Sequence, residues 1–128
     1  MPDPTAARAA GPNRDPGCLF CRIAAGELPA TKVHDDEVVI GIRDIAPRAP
    51  THVLFMPRTH IRSVAELTEA DGPLLGRLFA AATEFARSEG IATHGYRLVL
   101  NVGTWGGQTV DHLHVHLLGG RSMAWPPG

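Results

Sequence analysis

Apolar and polar residues alternate without a break through His112-Leu113-His114-Val115-His116-Leu117. That alternation predicts a half-buried strand over residues 111–118, with three imidazoles on one face and Leu113, Val115 and Leu117 turned toward a core. Elsewhere the spacing changes. Leu19, Phe20 and Ile23 recur at helical intervals until Gly26, which predicts a short helix of about two turns. Residues 29–34 and 37–42 form the two strands of a hairpin around Asp35-Asp36, and residues 51–57 form a central strand closed by Pro57. The main helix spans residues 71–89, where Leu74, Leu75, Leu78, Phe79, Ala82, Phe85 and Ala86 make one stripe and Gly90 ends it. Residues 96–102 are a further strand. Gly103 to Thr109 is a glycine-rich turn that delivers the chain to the histidines.

Hairpins, meandering strands and one long helix predict an α+β domain with a mostly antiparallel sheet of about five strands and a short N-terminal helix. Residues 1–17 carry four prolines and two glycines but no Val, Ile, Leu or aromatic side chain, so they read as a disordered tail before a domain at 18–128. The last residues, from Gly119 to Gly128, suit only an extended tail carrying Trp125.

Composition narrows the function. A chain of 128 residues is one domain, and a net charge of −1 offers no basic face for a nucleic acid polymer. Apolar runs are too short to span a membrane, and no signal peptide is legible, which gives a cytoplasmic protein as the expectation. The two cysteines, Cys18 and Cys21, have C-x-x-C spacing, which suits a metal or a redox pair better than a structural disulfide.

The histidine row admits four readings: a structural strand, a catalytic zinc site using two imidazoles, nucleophilic catalysis by the middle imidazole, or a division of labour between metal and substrate. All three cannot hold one ion, because His112 and His116 are about 13 Å apart on an extended strand. Two thiolates would supply half of a tetrahedral zinc site, with two histidines completing it; His60 and one end of the triad are candidates. A redox C-x-x-C opens a long helix in a βαβ setting, which is absent here. In the glycine-rich turn, Gly107 and its neighbours let backbone N–H groups approach an anion, and Gln108, Thr109 and Asn101 add donors. Asp44, in a proline-stiffened loop, can accept from sugar hydroxyls or cap a turn. Leu19, Phe20, Ile23 and Ile42 are core by default or the floor of an apolar slot for a planar base.

These pieces together resemble the histidine triad superfamily, whose signature matches His112 to Leu118. The likeness runs through Cys18-Leu19-Phe20-Cys21-Arg22-Ile23, Asp44-Ile45-Ala46-Pro47, Thr51-His52, Pro57-Arg58-Thr59-His60-Ile61, Gly106-Gly107-Gln108-Thr109 and the closing Trp125-Pro126-Pro127-Gly128. That ending resembles the Hint branch, the histidine triad nucleotide-binding proteins. The resemblance implies a homodimer joining its sheets edge to edge and a purine nucleoside phosphoramidase or related nucleotidyl hydrolase. It implies that His114 is the nucleophile, passing through a nucleotidyl-histidine, with His116 and His52 on phosphate oxygens or leaving group and Thr109 near the departing group. Asn101, Gly107, Gln108 and Thr109 would line the phosphate site, and Asp44 would hold the ribose. Leu19, Phe20, Ile23 and Ile42 would pack on the base of an AMP or GMP moiety, with Trp125 completing the substrate site. A structural zinc would sit on Cys18, Cys21, His60 and His112, with no metal required for catalysis. The alternatives are a dinucleotide polyphosphate hydrolase, a nucleotide-binding scaffold with little turnover, and a zinc hydrolase. The chain departs from the family pattern at Thr109, where serine is common, at Ile42, where an aromatic is common, and at Asp111.

Overall fold

The computed structural model describes residues 13–128. Five strands, β1 (Lys32–Asp35), β2 (Val39–Arg43), β3 (Thr51–Pro57), β4 (Arg97–Val99) and β5 (Val115–Gly119), pair antiparallel in the order β1-β2-β3-β5-β4. A short helix, α1 (Leu19–Ala24), precedes them, and a long one, α2 (Gly72–Glu89), connects β3 to β4 after two short 3-10 turns. The fold is α+β, as the alternation of periods predicts.

Each face of the sheet is covered by one helix. Val39, Val53, Phe55, Val115 and Leu117 point to α2 and close a core with Leu78, Ala81, Ala82 and Ala86. Leu75, Phe79 and Phe85 of the predicted stripe pack at its margin. On the opposite face, Ile40, Ile42, Leu54 and Met56 meet Phe20 and Ile23 of α1, together with Cys18 and Cys21. Strand β3 is therefore buried at every position, and only the register decides which side chains meet. Leu54 lies opposite His116 and His52 opposite Leu118, so His52 and His116 share the face that α1 partly covers.

Gly41 shows how tightly the α2 face is packed. A Cβ there would lie 2.7 Å from Phe55 Cε1 and 3.1 Å from His34 Cβ, with rigid ring and strand atoms on both sides. Gly41→Ala is expected to cost about 1–3 kcal/mol by overpacking, read as a lower urea midpoint at unchanged slope.

Element limits differ from the sequence expectation where side chains compete with the ladder. Strand β2 starts at Val39 rather than at 37 because Asp36 Oδ1 accepts the N–H groups of Val38 and Val39, making a turn of those residues. Strand β1 occupies Lys32–Asp35 instead of 29–34, and β4 only Arg97–Val99 instead of 96–102. The largest difference concerns the histidines. Pairing begins at Val115, so His112 and His114 precede β5 rather than belonging to it. The His112 N–H donates to Val110 O (2.9 Å) and the Leu113 N–H to Ile61 O (2.6 Å), which bends the chain out of the ladder and frees the two rings to face different ways.

The tail expected over residues 1–17 lies outside the described residues up to residue 12. Of its remainder, Asn13 N–H donates to Thr59 Oγ1 (2.9 Å) and Arg14 pairs with Glu27, so these residues lie along the chain near His60. Among the described residues no helix is long and apolar enough to cross a membrane.

Candidate functional site

Four of the seven histidines fall into two clusters, which meet at a fifth, His114. In the first, Cys18, Cys21, His60 and His112 bring their donor atoms within 4.8 Å of one another. Cys18 is the N-cap of α1, which places Cys21 one turn later on the same side. The edges are 3.3 Å from Cys18 Sγ to His112 Nδ1, 3.4 Å from Cys21 Sγ to His60 Nδ1, 3.6 Å from Cys21 Sγ to His112 Nδ1, and 3.2 Å between the two Nδ1 atoms. A tetrahedral zinc with ordinary bond lengths has sulfur–nitrogen edges of about 3.6 Å and a nitrogen–nitrogen edge of about 3.3 Å. The cluster matches that shape. His112 Nε2–H donates to Pro57 O (2.8 Å), which leaves Nδ1 as the lone-pair nitrogen facing the sulfurs. Burial pushes the Cys21 thiol up and His112 down to about 4. The histidine is thus held neutral, as a metal ligand must be, and a thiolate at Cys21 calls for a cation beside it.

The second cluster is His52, His116 and Asp44. The Arg48 N–H donates to His52 Nδ1 (3.0 Å), so in a neutral His52 the proton sits on Nε2. That nitrogen lies 2.9 Å from His116 Nδ1 and 3.4 Å from Asp44 Oδ2. With His52 donating, His116 Nδ1 is the acceptor and its Nε2 bears the proton. Asp44 Oδ1 takes the Ala46 N–H (2.8 Å), the turn-capping role, while its other oxygen faces His52.

His114 stands between the two groups. Its Nδ1–H donates to the His112 carbonyl oxygen at 2.6 Å, which leaves Nε2 with a free lone pair. Its ring is 5.0 Å from that of His116 and meets Phe20 edge-on at 5.1 Å and 82°. Desolvation lowers the pKa of His114, with the neighbouring carbonyl opposing it, so the ring is neutral at pH 7. Burial first, then the adjacent His114 and His52, brings His116 down to about 4; burial also lowers His52.

This depression has a measurable sign. Unfolded, the His116 ring titrates near the ordinary value of about 6.5; folded, it titrates at about 4. Between those values the unfolded chain binds the extra proton, so stability is full above about pH 6.5 and is lost as pH falls toward 4. Urea unfolding at a series of pH values is expected to show that loss, and His116→Gln is expected to make it shallower.

The glycine-rich turn is fastened from within. Gln108 Oε1 accepts the Gly103 N–H (3.0 Å), and Gln108 Nε2 donates to Arg62 O (2.8 Å) and Val110 O (3.0 Å). Its amide is thereby committed to holding the turn. Gly103 and Gly107 take φ values of 72° and 88°, and a Cβ on Gly106 would lie 2.3 Å from Val102 O. Asn101 Nδ2 faces Gly107 O at 3.5 Å, and Thr109 is exposed beyond them. Of the apolar residues expected against a base, Phe20, Ile23 and Ile42 are buried, while Leu19 is 47% exposed. Trp125 is 82% exposed, and Arg97 holds the carbonyl of its neighbour Ala124 (2.8 Å). Its ring lies in solvent, not against the histidines.

Four contributors are invisible to sequence reasoning: the backbone N–H of Arg48, the carbonyls of Pro57 and His112, and the ring edge of Phe20 on His114. Backbone groups leave no residue-type signal. The positions of Pro47 and Pro50 around Arg48, which stiffen that loop, are the only hint the chain offers.

Comparison with known proteins gives the family. The model of the HIT domain matches residues 25–123. The adenylylsulfatase HINT1 of Arabidopsis thaliana is 42% identical over 96% of this chain and 84% of its own. The 14 kDa zinc-binding protein of Zea mays is 45% identical over 89% and 90%, and the purine nucleoside phosphoramidase of Escherichia coli K12 is 43% identical over 82% and 88%. The crystal structure of a HIT family hydrolase from Legionella pneumophila superposes with a TM-score of 0.86 at 50% identity, over 88% of this chain and all of that one. With the domain model covering most of its length and relatives at this identity, the chain belongs to the histidine triad, or HIT, family.

Proposed function

We propose that this protein hydrolyses purine nucleoside 5′-phosphoramidates, or closely related nucleotidyl conjugates, through a covalent intermediate on His114. The observation that carries the reading is the hydrogen bond from His114 Nδ1–H to the His112 carbonyl, which fixes a neutral ring with its Nε2 lone pair free. In the first step Nε2 forms a bond to the α-phosphorus as the bond from phosphorus to the leaving nitrogen breaks. The departing amine needs a proton, which the exposed Thr109 hydroxyl would pass from solvent to the leaving nitrogen. His116, with its proton on Nε2, donates to a non-bridging phosphate oxygen, and the Gly106 N–H would add to that field, the Gly107 N–H being given to Thr104 O (3.1 Å). Water then attacks the phosphorus as the bond from phosphorus to Nε2 breaks, its proton passing to solvent, which releases the nucleoside monophosphate and returns the lone pair to His114.

Asp44 offers its Oδ2 to the ribose hydroxyls, and the exposed side of Leu19 offers the base an apolar contact. Cys18, Cys21, His60 and His112 hold zinc. A four-coordinate site of that composition contributes fold stability and has no open position for substrate, which argues against a zinc hydrolase. A relative is named a zinc-binding protein, in line with that assignment. The homodimer forms through β4, whose outer edge pairs with no other strand among the described residues, whereas the β1 edge carries the charged pair Lys32–Asp35. Sedimentation at micromolar concentration tests the dimer.

The deciding experiment mixes full-length protein with adenosine 5′-phosphoramidate and quenches in alkali within the first turnover. Trapped adenylyl-protein, with the label mapped to His114, supports the reading. Release of AMP with no protein-bound nucleotide at any time overturns it, and dinucleotide polyphosphate cleavage at a far higher kcat/KM would move the protein to that substrate class.

A further inference from the structure

We infer that the zinc cluster does more than stabilise the fold: it clamps the His114 ring in its reactive orientation through two arms. This inference rests on the proposed nucleophilic role of His114. The first arm is His112. Its ring is a cluster member through Nδ1 and is tied to Pro57 O through Nε2–H, while its own carbonyl receives the His114 Nδ1–H at 2.6 Å. Ligand and orienting carbonyl belong to one residue, so a shift of the His112 ring is passed to the bond that sets the His114 tautomer. The second arm is Phe20. It lies in α1 between Cys18 and Cys21, is only 4% exposed, and sets its ring edge-on to both His112 (5.8 Å, 76°) and His114 (5.1 Å, 82°).

Helix α1 has only six residues, too short to hold its place by helix propensity. Phe20 and Ile23 seat it on the sheet, the pair of cysteines ties down its start, and their partners, His60 and His112, come from the far side of the cluster. Without a metal, the four donors converging within 4.8 Å are joined only by weak contacts, such as the thiol–imidazole pairs Cys18 Sγ to His112 Nδ1 (3.3 Å) and Cys21 Sγ to His60 Nδ1 (3.4 Å), in place of coordination bonds. They then separate, α1 moves with Phe20, and His114 loses both its ring contact and its fixed acceptor. Cys18, Cys21, His60 and Phe20 are by this argument positioning residues for His114. None of them touches the reacting atoms.

The test compares zinc-loaded full-length protein, protein stripped by a chelator, and stripped protein refilled with zinc, all below the thermal transition of the stripped form as checked by far-ultraviolet circular dichroism. Nitrogen NMR of the histidine side chains reads the tautomer of His114 directly. The loaded protein is expected to show a single Nδ1–H form, the stripped protein a mixture, and the refilled protein the single form again. Single-turnover adenylylation is expected to fall about tenfold to a hundredfold on stripping, as misplacement of a reacting group does, with AMP affinity changed by less than about threefold. Phe20→Leu, which keeps zinc and an apolar side chain, is expected to lower the adenylylation rate in the same direction. An unchanged His114 tautomer in folded, stripped protein overturns the clamp. So does an adenylylation rate equal in loaded and stripped protein. If the loaded protein forms no adenylyl-histidine at all, the proposed reaction fails, and the tautomer comparison still decides the clamp on its own.

Discussion

His114→Ala is expected to lower kcat for an adenosine phosphoramidate by about 10⁴-fold or more, the scale on which loss of an essential nucleophile acts, while AMP still binds within a few-fold of the parent. The separation follows from where the contacts lie. In the proposed reaction Nε2 would meet the phosphorus only during the chemical step, whereas Asp44, the glycine-rich turn and the apolar edge at Leu19 would hold the ground-state complex. Alanine also opens a space beside Phe20 and His116, so His114→Asn serves as a companion. Its amide can still donate to the His112 carbonyl and fill part of the gap. Steady-state rates and equilibrium dialysis with AMP make the comparison. His116→Ala is expected to lose less, about 10²–10³-fold, because it removes one donor from a field that has others. Turnover retained near the parent rate in either His114 variant would contradict covalent catalysis.

Removing zinc is expected to have the largest effect on stability. The cluster ties the N-terminal helix to the loop after β3 and to the residue before the nucleophile's neighbour, three segments far apart in the chain. With free zinc a thousandfold above its Kd, occupancy adds about 4 kcal/mol to folding, which for a domain of this size corresponds to about 15 °C in Tm. Scanning calorimetry with and without chelator reads the shift, and it is expected to saturate at one zinc per chain. A Tm indifferent to chelation would remove zinc from the fold.

Much of this architecture was legible in the residues. The spacing of Leu75, Leu78, Ala82 and Ala86 gave the long helix and Gly90 its end, where the observed φ is 81°. Residues 51–57 are a strand from Thr51 to Pro57 as expected, because proline cannot continue a ladder. Two things escaped. The alternation at 112–117 is compatible with an extended chain that is not yet hydrogen-bonded, and whether pairing begins at 111 or at Val115 depends on Val110 O, just upstream, and on Ile61 O, a backbone atom of another segment. The second is the apolar slot. Phe20, Ile23 and Ile42 were equally good as core or as binding surface, and exposure separates them from Leu19 only once α1 is placed on the sheet. Sequence supplied the four metal-site residues through their resemblance to a family pattern; three-dimensional distances gave the reason those four belong together.

The bond from His114 to the carbonyl of His112 has one more consequence, for the regiochemistry of any adduct. An imidazole offers two nitrogens to an electrophile, and in free histidine both react. Here one is blocked by a carbonyl 2.6 Å away, so while that bond holds a covalent product on this ring would be the Nε2 isomer. The isomer formed is thus selected by a main-chain atom, one that no side-chain replacement at residue 112 removes.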